Sequence, residues 1–238
     1  MIKVELHSHP LGGSPCADGD NLLAVKKFID AGYGGVVCTT HYSKSYYENV
    51  FLGQTHKEKI DYFFKVYDDF AKIAKENGLK TFCATEIRCV PTNTEYTLVG
   101  FDRAFLYDNP PLFNLSQQEL FVLAEKNGFF MYQTHPFRTD VVAGNPEFMH
   151  GAECFNGHYH HKNNNELAKE FCEKYNLIGL VGTDYHHDDQ PLTTGIMLPE
   201  NINTEQELAD FLKQGVFNVV ADKDLYEKSL DKHLQRKK

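Results

Sequence analysis

The chain places its most reactive side chains at the ends of short apolar runs. Val4-Glu5-Leu6-His7-Ser8-His9 closes on two histidines at i and i+2. Residues two apart on an extended strand face the same side, so both imidazoles can reach one cation at the strand's end. Gly35-Val36-Val37-Cys38-Thr39-Thr40-His41 is another apolar run ending in histidine, and Thr81-Phe82-Cys83-Ala84-Thr85-Glu86 ends in a carboxylate. Phe129 to Thr134 leads into His135, and Ile178 to Thr183 leads into Asp184-Tyr185-His186. Imidazole and carboxylate donors together suit Zn, Mn or Fe rather than Ca. No Gly-x-Ser-x-Gly motif and no Walker loop offers a competing chemistry.

The elements that must position these groups follow from periodicity. Apolar runs predict strands near 2–8, 35–41, 79–87, 95–101, 128–135, 151–156 and 177–184, with an eighth run at 216–221. Between them lie helical patterns. Leu22, Leu23, Val25, Phe28 and Ile29 precede the stop at Ala31-Gly32. Residues 57–76 carry Ile60, Phe63, Phe64, Tyr67 and Phe70 on one stripe. Ser116-Gln117-Gln118-Glu119 has the capping-box form. Further helices are expected over 166–175 and from Thr204 to near Gly215. The charged segment 222–238 reads as a surface helix with a thin apolar face of Leu225, Ser229 and Leu230. Strands alternating with helices predict a parallel sheet, and seven or eight strands fit one irregular βα barrel. Chemistry in such barrels sits at the C-terminal strand ends, where the His, Asp and Glu residues fall.

Length and composition narrow the classes. The 238 residues suggest a single domain over 1–238, with ligand-bearing motifs in 3–188 and a C-terminal helical segment of about 204–238. No apolar run is long enough to span a bilayer, and the N-terminal run already reads as a strand, so the expected location is the cytoplasm. The net charge of −9, with basic residues concentrated only in the tail Arg236-Lys237-Lys238, argues against avid nucleic-acid binding. It leaves room for a small phosphorylated substrate, because bound cations can supply local positive charge. The six cysteines form no C-x-x-C pair and are expected to be reduced, with Cys16 notable for its loop position behind His9. Nothing in the pattern fixes an oligomeric state.

Taken in order, His7-x-His9, Thr39-Thr40-His41, Glu86, Thr134-His135-Pro136-Phe137-Arg138 and Gly182-Thr183-Asp184-Tyr185-His186 resemble the PHP (polymerase and histidinol phosphatase) family of metal-dependent phosphoesterases. The resemblance covers residues 3 to 188 or so, and it implies a distorted (β/α)7 barrel of TIM-like type. It also implies two or three divalent metal ions (Mn, Zn or Fe). His7, His9, Glu86 and Asp184 would hold the first; Glu86 would bridge to a second held by His135; Asp18, His41 and His186 would hold a third. The chain departs from the family pattern where a further histidine is usual near the fourth strand. That strand reads Glu95-Tyr96-Thr97-Leu98-Val99, so Glu95 or water would substitute. Asp18 follows the second histidine at a longer spacing than is common.

Such a site would use a metal-bridged hydroxide against phosphorus. Arg138, three residues after His135, is a candidate phosphate clamp, with a salt bridge to a barrel carboxylate as its alternative role. Arg88, two residues after Glu86, is a second candidate. In the run His158-Tyr159-His160-His161, His158 could face substrate or fill the gap at the second metal, while a solvated loop is the plainer expectation. His187 should point away from His186 in an extended chain. Isolated histidines such as His56, His150 and His233 read as surface residues.

The leading functional reading is hydrolysis of a small phosphomonoester, with His7, His9, Glu86, His135, Asp184 and His186 as the reacting machinery. A 3′–5′ exonuclease or oligonucleotide phosphodiesterase would want a basic groove, which the sequence lacks. A metal-dependent amidohydrolase also begins with His-x-His but often carries a bridging lysine on its fourth strand, absent here. A non-catalytic binding module would be expected to have lost several ligands.

Overall fold

The computed structural model describes residues 1–236, so Lys237 and Lys238 of the basic tail lie outside the described residues. In chain order the elements are β1 (Ile2–Ser8), α1 (Asn21–Asp30), β2 (Tyr33–Tyr42), α2 (Lys44–Asn49), α3 (His56–Glu76), β3 (Lys80–Arg88) and β4 (Glu95–Val99). There follow α4 (Arg103–Asp108), α5 (Gln117–Asn127), β5 (Phe130–Gln133), β6 (Gly151–Asn156), α6 (Asn165–Tyr175) and β7 (Ile178–Gly182). The chain continues with β8 (Thr194–Leu198), α7 (Glu205–Lys213), β9 (Val219–Ala221) and α8 (Lys223–Arg236).

Helix starts are set locally. Asp20 accepts from the amides of Leu22 and Leu23, satisfying donors that the first turn of α1 leaves open. Thr55 with Glu58, Ser116 with Glu119, and Thr204 with Glu207 form complete capping boxes at α3, α5 and α7. These are the starts that the sequence pattern marks most clearly.

Among the described residues the nine strands form one sheet in the order β7-β6-β5-β4-β3-β2-β1-β8-β9. The sheet curls into a nearly closed barrel, the distorted TIM-like form that was expected. Closure occurs at the C-terminal end of β1: Ser8 bridges Tyr185, the His9 amide donates to the Tyr185 carbonyl at 2.9 Å, and the Tyr185 amide donates to the His7 carbonyl at 3.2 Å. The N-terminal half of β1 is instead taken by β8, with Val4 opposite Ile196.

Three details depart from the sequence expectation. β4 runs antiparallel to both β3 and β5, because residues 89–94 are too short a connection for a crossover and can only make a hairpin. The strand β8 was not foreseen, and the run 216–221 contributes only Val219–Ala221, antiparallel to β8. β5 stops at Gln133 because the backbone turns out of extended geometry at His135, which has φ 30°.

The core sits on two faces. Val37, Phe82, Ala84, Val99, Phe130 and Tyr132 pack together with Leu208, Ala209 and Leu212 of α7. On β2, β3 and β4 these residues share strand parity with His41, Glu86 and Glu95, so the same face that carries the polar site at one end is apolar below it. On the opposite face, Cys83, Ile87, Tyr96 and Leu98 pack against Phe63 and Phe64 of α3 and Leu120 of α5. Val36 and Cys38 cover Val25 and Phe28 of α1. No helix of the described residues is long and apolar enough to cross a membrane.

Candidate metal centre

Seven of the expected groups converge where the strands end. His7, His9, Glu86, His135, Asp184 and His186 are each at most 4% exposed, and His41 is slightly more open. His7 and His9 leave β1 on one side, as their spacing requires. Their Nε2 atoms lie 3.0 Å apart, and each is 3.3 Å from Asp184 Oδ1. Glu86 completes the group, 3.5 Å from His7 Nε2 and 3.6 Å from His9 Nε2. A tetrahedral ion with bonds of about 2.0–2.2 Å needs donor–donor edges of roughly 3.3–3.6 Å. The separations of 3.3–3.6 Å to Asp184 and Glu86 lie in that range, with Glu86 turning Oε1 to His7 and Oε2 to His9, while the 3.0 Å between the two imidazole nitrogens would have to open slightly around an ion.

Glu86 also faces a second set. His135 Nε2 is 3.1 Å from Glu86 Oε1, and His41 Nε2 is 3.0 Å from Glu86 Oε2. Thr134 donates its hydroxyl to Glu86 Oε1 at 2.6 Å, which holds the carboxylate across the barrel. His9, His41 and His186 form a further group of three nitrogen donors within 4.8 Å of one another. The Nδ1 atoms of His9 and His135 are buried without a hydrogen-bond partner.

The local backbone is unusual at two of these residues. His135 and Asp184 have φ of 30° and 54°, left-handed values that non-glycine residues adopt at a cost. At Gly182, just before Thr183-Asp184, any Cβ would fall onto the Glu153 carboxylate and the Cβ of His7, so only glycine lets β7 approach β1 here.

Three further carboxylates support the centre: Glu153 and Glu5, which the sequence does not single out, and Glu95, which it offers as a substitute for the absent histidine. Glu153 of β6 receives His7 Nδ1 at 2.7 Å, the His135 amide at 2.8 Å and Asn156 Nδ2 at 2.9 Å. A carboxylate can only accept, so it fixes a proton on His7 Nδ1 and leaves Nε2 to bind an ion. Glu5, fully buried, accepts from the His7 amide and from the Thr183 amide and hydroxyl, tying β1 to β7. Glu95, 1% exposed, stands in the gap left by the missing fourth-strand histidine, 3.6 Å from His135 Nε2 and 3.9 Å from His41 Nδ1.

Both candidate arginines hold Glu95. Arg88 donates to Glu95 Oε1 from Nε at 3.0 Å and Nη2 at 2.6 Å, and Arg138 Nη2 donates to Oε2 at 3.0 Å. The barrel salt bridge considered for Arg138 is thus formed, and both guanidiniums still line the cavity above the centre. That cavity measures about 400 Å³ and is bordered also by Cys16, His41, Glu86 and His158.

Two other residues sit differently from expectation. Asp18 is not brought into the cluster: its carboxylate is exposed and receives His187 Nδ1 at 2.6 Å. The reason is the turn at residues 10–14, where the Gly13 amide donates to Pro10 and its carbonyl accepts from His41, steering the following loop over the rim. His158 is buried, but it joins Asp184 and His186 and does not fill the second-site gap. His187 turns its Nδ1 to Asp18, and its ring lies 6.2 Å from that of His158, which also neighbours His186. His56 and His150 are less solvated than expected: His56 Nε2 lies 2.9 Å from the Leu106 carbonyl and His150 Nε2 2.7 Å from Glu125.

The electrostatics follow from burial among opposite charges. Burial opposes charge on His7, but Asp184, Glu153 and Glu86 outweigh it and hold its pKa well above the ordinary imidazole value. Burial, together with His186 and His41, pushes His9 well below. Burial alone would raise Glu86 and Asp184, yet the surrounding histidines, His7 foremost, keep both carboxyls well below their usual range. The arrangement sets anionic oxygens among imidazoles, with a proton held on His7 that a divalent cation would displace.

No protein-family model matches the chain, and no curated protein matches it. Solved structures do. A two-domain protein from Bacteroides vulgatus ATCC 8482 containing a predicted PHP-like metal-dependent phosphoesterase is 20% identical, with a TM-score of 0.61 over 97% of this chain and 69% of that one. PsfC from Pseudomonas syringae PB-5123 is 13% identical, with a TM-score of 0.62 over 100% of this chain and 99% of that one. The lesion-specific endonuclease PfuEndoQ from Pyrococcus furiosus is 12% identical, with a TM-score of 0.57 over 92% of this chain and 57% of that one. The chain therefore shares its fold with PHP-like proteins.

Proposed function

We propose that the chain is a metal-dependent phosphoesterase acting on a small phosphomonoester. The observation that carries this reading is the His7–His9–Glu86–Asp184 donor set, in which the two imidazole Nε2 atoms lie 3.0 Å apart and within 3.3–3.6 Å of carboxylate oxygens at the C-terminal strand ends. Glu86 would bridge to a second ion held with His135, and His41 and His186 would hold a third. A divalent ion in such a site supplies Lewis-acid charge and brings the pKa of a water it binds towards roughly 7. Asp184, Glu86 and Glu153 would keep the imidazoles oriented for binding. Arg88 and Arg138 border the cavity with guanidinium N–H groups that suit phosphate oxygens. Glu95 would fix both arginines and offer a carboxylate where the fourth-strand histidine is missing.

The cavity volume of about 400 Å³ and the net charge of −9 favour a small substrate over a polymer. The fold shared with PfuEndoQ keeps oligonucleotides as the competing substrate class. The test is a phosphate-release screen over phosphomonoesters and short oligonucleotides, with Mn²⁺ or Zn²⁺ restored after chelation. Release from one monoester class supports the proposal. Cleavage of oligonucleotides alone would transfer it to the nuclease reading, and bound metal without phosphoester turnover would overturn both.

A further inference from the structure

Three more histidines converge at the rim: His160 and His187 outside the inner cluster, and His158 between them and the inner Asp184 and His186, its Nδ1 accepting from the His160 amide at 3.2 Å. His158, His160 and His187 each offer a ring nitrogen within 4.8 Å of the others. They come from two loops, His158 and His160 following β6 and His187 following β7. Ring centroids are 5.3 Å apart for His158 and His160, and 5.0 Å for His160 and His187. The rings are held in place from outside. His160 stacks on His233 of α8 at 4.2 Å. Asp18 receives His187 Nδ1 at 2.6 Å, so the proton is fixed there and Nε2 is the ligating nitrogen. The Tyr159 hydroxyl donates to Asp189 at 2.9 Å, joining the two loops.

This is the carboxylate–histidine arrangement that orients metal-bound imidazoles. Three imidazoles with no carboxylate ligand suit a borderline cation such as Zn²⁺, with a fourth tetrahedral position left open. We propose that His158, His160 and His187 form an outer Zn²⁺-type site beside the inner centre, which His158 also borders through Asp184 and His186, with Asp18 as the positioning residue of the outer site. Asp18, whose exposed carboxylate faces His187 rather than the inner donors, acquires a role in this site. The proposal does not depend on the reaction assigned to the inner centre.

The test is metal content by mass spectrometry after chelator stripping, Zn²⁺ reloading and gel filtration. His160→Ala should hold one equivalent less than the wild type, and His187→Ala should show the same loss. His9→Ala, which breaks the inner set, should keep that equivalent, and the double variant His9→Ala/His160→Ala should lose it additionally. Asp18→Asn should weaken the outer equivalent about ten- to hundredfold in competition with a chromophoric chelator. Unchanged metal content in both His160→Ala and His187→Ala would overturn the proposal. So would a double variant holding no less metal than His9→Ala alone.

Discussion

Glu153→Gln is the substitution that examines the orienting shell most closely. Glutamine keeps the volume of the side chain but replaces one acceptor oxygen by an NH2 group. In the native site one oxygen faces His7 Nδ1 at 2.7 Å, and the other faces the His135 amide at 2.8 Å and Asn156 Nδ2 at 2.9 Å. Every partner is a donor, so the amide must turn its NH2 towards one of them in either orientation. At least one charge-assisted hydrogen bond, worth about 1.5–3 kcal/mol, is lost in a fully buried setting. His7 also loses the acceptor that fixes its tautomer, and its Nε2 is one corner of the four-donor set. At about 1.4 kcal/mol per factor of ten, the loss corresponds to a metal affinity about ten- to hundredfold weaker, the range seen when partners of metal-bound histidines are removed. Competition between the metal-free protein and a chromophoric chelator reads the affinity directly, with circular dichroism verifying the fold. A folded variant whose affinity stays within about twofold of the wild type would refute the role given to Glu153.

Three further outcomes follow from the geometry. Gly182→Ala should lower the melting temperature by about 2–12 °C, from an overpacking cost of about 1–3 kcal/mol in a chain of this size, since the new Cβ meets Glu153 and His7; an unchanged thermal melt would contradict the close approach. Stabilisation by metal should grow with pH. Burial opposes charge on His7, but Asp184, Glu153 and Glu86 hold its folded pKa above the unfolded value, so in the metal-free protein its proton stabilises the fold below the ordinary imidazole pKa of about 6.5, and that contribution is lost as pH rises through the elevated value. Metal must displace that proton, so the melting-temperature gain on adding metal should widen as pH rises from about 6.5; an equal gain at all pH values would count against it. Arg138→Ala should raise KM for phosphate substrates with bound metal unchanged, whereas loss of metal would show that the arginine serves mainly to hold Glu95.

The inner donors were legible because each is announced by a local pattern. An apolar run ending in His-x-His, His, Glu or Asp-x-His puts the group at a strand end whatever the partner strands are. Glu153 and Glu5 carry no such signal. An acid alternating with apolar residues, as in Ala152-Glu153-Cys154, reads as a solvent-facing strand position, and only closure of β6 and β7 against β1 buries it. The side on which Asp18 lies, facing His187, depends on the Gly13 turn, which spacing along the chain cannot reveal. Thr194-Gly195 weakens the strand signal of β8, whose stability comes from pairing with both β1 and β9. The antiparallel direction of β4 could have been read from the short connection at 89–94, which lacks room for a crossover.

The central claim is that the buried His, Asp and Glu cluster is a hydrolytic metal centre. The most direct measurement compares metal content and phosphate release in the wild type and Asp184→Ala, each stripped by chelator and then resupplied with Mn²⁺ or Zn²⁺. The account predicts bound divalent metal and phosphomonoester turnover in the wild type, loss of both on chelation, and recovery of both on resupply. Asp184→Ala should bind less metal and remain inactive. Turnover that survives chelation, or an Asp184→Ala variant with full metal content and activity, would contradict it.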